Sequence, residues 1–430
     1  MMKRTLSKGV LALSISALTA SAAFAGGYGR SAANIDPLFD EGRFSGQASV
    51  AVVAPRRNYE SIQPVGAPAA ISTATLPTNP ALVAGGAPAV GAGSTTFSKA
   101  YTTFGATAAA DVVGGLRCAG TYAQPYGADA DYGFAQLATG IGTTTSTSLA
   151  SHEFGLTCGY AFDLGKGKLH VIAGGFGQQV EYKEARGFGF GSPLGGGDIE
   201  LSDMGYGYRV GLGYTIPEIA LKTSLVYRSA VNHQVEGRVR NPVFPTAGNT
   251  VQAFADVTTP QSLKLSVQSG VAQNVLVFGS VEWTDWSQIQ QVQVFAKPGQ
   301  LAAVAAPLNG VTIDGYFSDG WTVTGGVGYR VNEKLSTSLS LTWDKGVSTG
   351  TTAAGRAGAN ASAFSDTWTV AAGAQYSFDE TFSIRAGLAY SFLSAASYNT
   401  GPTTAFPGGA TVNLGADHAI AGGLQLQAKF

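Results

Sequence analysis

The stretch HAIAGGLQLQAKF, His418–Phe430, alternates almost without fault. Ile420, Gly422, Leu424, Leu426, Ala428 and Phe430 fall on one face. Ala419, Ala421, Gly423, Gln425, Gln427 and Lys429 fall on the other. Successive side chains of an extended chain point to opposite sides, so this is a strand with one apolar and one polar face. It ends on an aromatic residue.

Working outward, the same period of two recurs. Trp321, Val323, Val327 and Tyr329 oppose Thr322, Thr324 and Gly328. Leu335, Leu339, Leu341 and Trp343 oppose Ser336, Ser338, Ser340 and Thr342. Phe382, Ile384, Leu388, Tyr390 and Phe392 oppose Ser383, Arg385, Gly387 and Ser391. Short polar turns are expected at residues 163–168, 217–219, 272–274, 332–334 and 379–381, with a sixth near Ala108–Asp111. Long segments rich in Gly, Pro, Ala and Thr cover roughly 57–98, 125–147, 185–200, 238–257, 289–318, 346–364 and 394–414. Seven long loops and six short turns separate about fourteen strands. The expected fold is an all-β, antiparallel, up-and-down transmembrane β-barrel over residues 44–430, with strand one near Phe44–Pro55 closing against the final strand.

The other end of the chain agrees. Lys3, Arg4 and Lys8 precede the apolar run Val10–Ala20, and Ala23-Phe24-Ala25 is a small-x-small cleavage site, so residues 1–25 read as a secretory signal peptide. With those three basic residues removed, 23 of the 26 Lys+Arg remain against 27 Asp+Glu, a mild acidity that argues against a nucleic-acid partner. Charged residues make up 12% of the chain, against ~25% in a soluble domain, and glycine reaches 59. No later run of 18 apolar residues offers a transmembrane helix. A bacterial outer-membrane location fits all of this, with Phe430 as an assembly signal read by the barrel assembly machinery. Outer-membrane lipid and lipopolysaccharide would be neighbours of the wall. A large secreted β-sandwich also alternates and is the competing fold.

Cys118 and Cys158 are the only cysteines. In a hairpin centred near residue 138 they would lie opposite one another, so a cross-strand disulfide and two free thiols both stay open. Basic residues fall on the polar face wherever alternation can be read: Arg117, Arg209, Lys222, Arg228, Lys264, Arg330 and Arg385. Arg117, Arg209, Lys222, Lys264, Arg330 and Arg385 are candidates to hold a carboxylate ligand in a partly dry lumen. The competing role is pairing with luminal acids such as Glu282. Phe188, Phe190, Phe244, Phe254, Phe295, Leu301 and Val304 offer apolar loop contacts. His152, His170, His233 and His418 share no metal-ligand spacing and none is near a Gly-x-Ser-x-Gly elbow. No catalytic residue, metal or cofactor is expected.

Several segments resemble the FadL family of long-chain fatty-acid and hydrocarbon channels. They are Thr259-Pro260-Gln261-Ser262-Leu263-Lys264 followed by Val281-Glu282-Trp283-Thr284-Asp285-Trp286-Ser287; Gln124-Pro125-Tyr126-Gly127; and the Asp-led strands Asp319–Tyr329 and Asp366–Tyr376. The resemblance implies a fourteen-stranded monomeric barrel plugged by an N-terminal hatch. Hydrophobic small molecules would enter by diffusion and leave sideways through a wall opening made by a kinked strand. Here the hatch-like segment spans only residues 26–43, and Asn34-Ile35-Asp36-Pro37 stands where the family has Asn-Pro-Ala, making Asn34, Asp36 and Pro37 the hatch candidates. A general diffusion porin or an adhesive surface barrel is the alternative.

Overall fold

The computed structural model describes residues 27–64, 71–72, 96–132, 144–187, 196–242, 244, 249–300, 312–347, 364–400 and 408–430. The expected signal peptide lies outside these residues, as do most of the first loop and Phe188, Phe190, Leu301 and Val304. Fourteen antiparallel strands form a closed barrel. They are β1 (Phe44–Arg56), β2 (Tyr101–Val113), β3 (Leu116–Asp131), β4 (Thr144–Leu164) and β5 (Gly167–Gly187). Next come β6 (Gly196–Ile216), β7 (Leu221–Arg228 continued by Val231–Arg240), β8 (Thr250–Thr259 continued by Ser262–Ala272) and β9 (Val275–Thr284). The chain ends with β10 (Gly320–Arg330), β11 (Leu335–Lys345), β12 (Thr367–Ser377), β13 (Phe382–Leu393) and β14 (Asp417–Lys429).

Closure is made by twelve residues of β1 paired with β14, from Ser45↔Lys429 to Arg56↔His418. The ladder ends on reciprocal backbone bonds: Phe430 N–H donates to Phe44 O at 2.8 Å, and Phe44 N–H to Phe430 O at 3.1 Å. The Phe430 ring meets those of Phe44 and Phe382, both at 5.9 Å. Ile420, Leu424, Leu426 and Phe430 are exposed outward, while Ala419, Ala421, Gln425 and Gln427 are buried inward, the division that the alternation sets.

Two expectations need correction. Ala108–Asp111 is strand, with Ala108 opposite Gly120 and Ala110 opposite Cys118, and the chain reverses instead at Gly114-Gly115. Both of those glycines have positive φ, 43° and 86°, a backbone that residues with a Cβ rarely adopt. An alanine-rich run lacks the bulk that marks a strand, hence the misplacement. Second, much of 125–147, 185–200 and 238–257 is strand rather than loop. β4, β5 and β6 are 21 residues long, twice the ~9–11 needed to cross a bilayer. Past the bilayer water wets the outer face, so charge pairs replace apolar residues: Arg238 with Glu200 at 2.9 Å, Arg240 with Asp198 at 2.5 Å, and Lys297 with Glu236 at 2.5 Å. Charge and glycine make such strands look like loops.

The wall is interrupted twice. β2 and β3 pair only up to Ala106↔Tyr122; beyond it, a short strand Gly29–Ser31 pairs with β3 at Gln124 and Tyr126. Between β6 and β7 the ladder stops at Arg209↔Arg228 and resumes at Ser202↔Glu236. There β7 resets its phase across Ser229-Ala230, and β8 does the same across Pro260-Gln261. Pro260 cannot donate to a ladder, so a break falls naturally beside it. The inward step of β7 places Val231 and His233 over Gly205, where a Cβ would lie 2.5 Å from Val231 and 2.8 Å from His233.

Cys118 and Cys158 are directly opposite on β3 and β4 and form a disulfide on the outward face. It closes a loop with a sequence separation of 40. Chain-entropy reasoning gives such a link up to about 4 kcal/mol, less any native strain. Replacing both residues, C118S with C158S, is expected to leave a folded barrel that unfolds at lower urea by about 2–4 kcal/mol. Gel migration of unheated and heated samples along a denaturant series measures it, and an unchanged midpoint would refute the stabilising role.

Candidate functional site

The polar inward face at the end of the barrel that carries the termini is occupied by residues 34–42. Arg117 donates to Pro37 O (2.7 Å), Gly42 O (2.7 Å), Ser45 Oγ (2.8 Å) and Asp111 Oδ1 (2.6 Å). Asn34 Nδ2 donates to Gln47 Oε1 at 2.9 Å, and Thr107 Oγ1 to Asn34 O at 2.8 Å. Asp36 pairs with Lys222 at 3.1 Å and Asp40 with Lys429 at 2.6 Å. Leu38 seats among Ala109, Ala119 and Ile172, and Phe39 packs edge-on against His170. Nearer the other end, Arg30 bonds Asp129 at 2.6 Å and lies over the Tyr101 ring.

Each basic residue singled out by sequence points inward, and most are already engaged. Besides Arg117 and Lys222, Lys264 pairs with Glu282 at 3.0 Å, and Arg385 donates to Gln375 at 2.9 Å and Gln427 at 3.2 Å. Arg330 is near the turn at 331–334 and also has interactions within the protein. Lys264 and Arg385 also interact electrostatically with Asp36, the partner of Lys222, whereas Arg117 and Arg209 engage other acids. Arg209 belongs to a mid-barrel cluster with Arg228, both pairing with the fully buried Glu153. Arg228 Nη2 meets Glu153 Oε2 at 2.7 Å, and the two guanidiniums flank the Phe176 ring at 4.4 and 5.0 Å. Arg228 Nη1 donates to Tyr126 Oη and to Pro260 O, both at 3.2 Å. Beside it, Gln178 Oε1 accepts from Thr259 at 2.7 Å and contacts His233 Nε2 at 3.1 Å.

Beyond this polar layer the lumen turns apolar. A cavity of about 110 Å³ lies between the barrel wall and loop residues. Leu149, Val180, Leu201, Val235 and Val257 supply its strand side; Trp286, Ile289 and Phe317 supply its loop side, with Tyr28 and Tyr126 between them. Trp286 is brought inward by a short 3-10 turn, Trp286–Gln288, directly after β9. Its ring packs against Tyr126 at 5.4 Å, and against Tyr28 and Phe317 at 5.9 Å. Above it, Tyr59, Phe97, Phe364, Tyr398 and Leu414 extend the core. Buried Arg57 ties this mouth together, donating to Ser394 O, Gly415 O and Ser365 Oγ at 2.8–3.0 Å. Burial brings its pKa down to about 10, offset in part by Asp417, so it stays charged at neutral pH. Phe244 is buried nearby with Ile199 and Val251, whereas Phe254 and Phe295 stack on each other.

Sequence reasoning missed the cavity residues: Val257 falls in a segment expected to be loop, and nothing in the sequence marks Leu201 or Val235 as facing inward. The phase resets at 229–230 and 260–261 are what turn Val235 and Val257 inward. The histidines are dispersed: His152 contacts Tyr122 Oη at 2.9 Å, His170 contacts Thr215 at 3.1 Å, and His418 stacks on Tyr390. Among the described residues no His, Cys, Asp or Glu group has the geometry of a metal site.

Residues 118–345, more than half the chain, match the family described as outer membrane protein transport protein (OMPP1/FadL/TodX). The chain belongs to that family. Residues 272–430 also match the outer membrane protein beta-barrel domain. The protein is thus an outer-membrane β-barrel of a transport family. Among solved structures, a Pseudomonas aeruginosa FadL homologue superposes with a TM-score of 0.68 at 14% identity, covering 91% of each chain. The Pseudomonas putida toluene transporter TodX gives 0.54 at 13%, over 95% of this chain and 98% of that one. The monoaromatic hydrocarbon channel CymD gives 0.53 at 10%, over 92% and 91%. At these identities the likeness is one of fold. No curated protein matches the chain.

In this OMPP1/FadL/TodX member, Glu153 pairs with two buried cations at once. Glu153→Gln would leave Arg209 and Arg228 sharing no anion, and removal of one partner from a buried pair costs about 3–5 kcal/mol. The variant is expected to unfold at a correspondingly lower urea concentration. A midpoint equal to that of the wild type would show the cluster to be energetically neutral.

Proposed function

We propose that this barrel is a passive channel for small, uncharged hydrophobic compounds, and that residues 26–43 act as its luminal plug. The observation that carries the reading is the apolar cavity beside Trp286. Its volume is of the order of the ~150 Å³ cavity that admits benzene. Two neighbours of the same fold are named as a toluene transporter and a monoaromatic hydrocarbon channel. A carboxylate is a poorer match. Arg209 and Arg228, the cations nearest the cavity, are committed to Glu153, and Lys222, Lys264 and Arg117 to other acids. A fatty-acid headgroup would compete with these acids for the same cations. The plug reading draws on Asn34, Asp36 and Pro37, each bonded to the barrel as described, with the backbone N–H of Asp36 also donating to Asn34 Oδ1 at 2.9 Å. Passage is driven by partitioning alone, with no chemistry on the compound.

Proteoliposomes test this. Toluene uptake should exceed that of empty vesicles, whereas small sugars should produce no swelling; brisk swelling with sugars would make the protein a general porin instead. Ala128, half-buried on the cavity wall, offers a block. Ala128→Phe is expected to reduce toluene uptake by roughly tenfold, the effect of about 1–3 kcal/mol of overpacking. Uptake that is unchanged in a correctly assembled Ala128→Phe barrel would place the path elsewhere.

A further inference from the structure

Trp286 is 2% exposed and lines the cavity, yet its indole Nε1–H has no hydrogen-bond acceptor among the described residues. Four other polar side chains at the cavity are engaged. Tyr126 Oη donates to Pro260 O, Ser151 Oγ to Tyr126 O, Thr259 Oγ1 to Gln178, and Tyr182 Oη to Glu184. Of the described buried side-chain atoms on the cavity wall, the indole N–H is the one left unsatisfied. A buried donor without a partner is costly, and an otherwise apolar pocket with one free donor discriminates strongly by what can answer it.

We infer that Trp286 sets specificity in this cavity by donating its indole N–H to a neutral acceptor on an otherwise apolar ligand. The class is compact aryl ethers, ketones and similar oxygenated aromatics, taken in preference to bare hydrocarbons of the same shape. The rings of Tyr28, Tyr126 and Phe317, which pack on Trp286, would face the ligand's ring, and the indole N–H would fix its orientation. The inference rests on the cavity being the ligand site.

The test uses ethylbenzene and methoxybenzene, which are of nearly the same size and differ by an ether oxygen in place of one methylene. Their dissociation constants are measured by calorimetry on the detergent-purified full chain and on Trp286→Phe, which keeps an aromatic ring but removes the N–H. Comparing the ratio of the two constants between wild type and variant cancels their different solubilities. The preference for methoxybenzene is expected to fall by about two- to tenfold in the variant, the worth of one neutral hydrogen bond, with ethylbenzene little changed. An unchanged ratio, with both compounds bound, would overturn the specificity role and leave the cavity standing as the site; an ordered water answering the indole would give that result. Binding of neither compound to the wild type would overturn both readings. A second measurement needs no variant. With tryptophan labelled at the indole nitrogen, one of five N–H resonances should move on adding methoxybenzene and not on adding ethylbenzene. Identical spectra with the two compounds would refute the bond.

Discussion

Everything in this molecule depends on the pairing of β1 with β14. Hydrocarbon offers no partner to a backbone N–H or C=O, so a sheet in lipid must have no free edge. Twelve residue pairs and the reciprocal Phe44–Phe430 bonds remove the two edges that a fourteen-stranded sheet would otherwise present. Once the sheet closes, the alternation of each strand has only one meaning, with lipid outside and a lumen inside. The lumen then poses its own problem, since its polar lining has to be satisfied by something.

Two solutions are stacked along the barrel axis. At the end bearing the termini, the N-terminal segment supplies backbone carbonyls and acids to Arg117, Lys222 and Lys429, so the lining is answered by the chain itself. At the loop end, β7 and β8 step inward at Ser229-Ala230 and Pro260-Gln261 and reverse which residues face the lumen. Val235, Val257 and their neighbours then meet loop aromatics, and the lining becomes apolar. Glu153 with Arg209 and Arg228 marks the boundary. Two guanidiniums over the Phe176 ring and one carboxylate between them satisfy the last polar groups before the lumen turns dry.

This division explains what could be read from sequence. Strands β10 to β14 were legible because lipid outside and polar lining inside leave a clean period of two, as in Trp321–Tyr329 and Phe382–Phe392. The turns at 217–219, 332–334 and 379–381 were legible because short polar runs interrupt it. β4, β5 and β6 were not legible beyond the bilayer, where Glu181, Lys183 and Glu200 face water while Val180, Ile199 and Leu201 face the lumen, so the alternation is the inverse of that in the bilayer. The bond between Cys118 and Cys158 depended on register, which parity leaves open and the pairing of β3 with β4 supplies. The inward face of Trp286 was hidden for a different reason. The residue comes after its strand, on a turn whose direction no periodicity reports.

Placing the aromatic core on loops and on the N-terminal segment, with the barrel wall as backing, separates two demands that otherwise conflict. A transmembrane wall needs complete ladders and tolerates little change in lumen-facing size, because each inward position is packed against its cross-strand neighbours. A ligand site needs side chains of particular shape. Here Tyr28, Trp286 and Phe317 provide the shape from outside the wall strands, and the wall contributes generic aliphatics such as Val180 and Leu201. Gly27 is where the two meet. With φ of 72° it lies flat on the Trp286 ring, and a Cβ there would come within 3.0 Å of the indole. The packing that starts the N-terminal segment is therefore the same packing that closes one side of the cavity. Any displacement of that segment would reshape the site and release the short pairing of Gly29–Ser31 with β3, while the ladders between the fourteen wall strands stay in place.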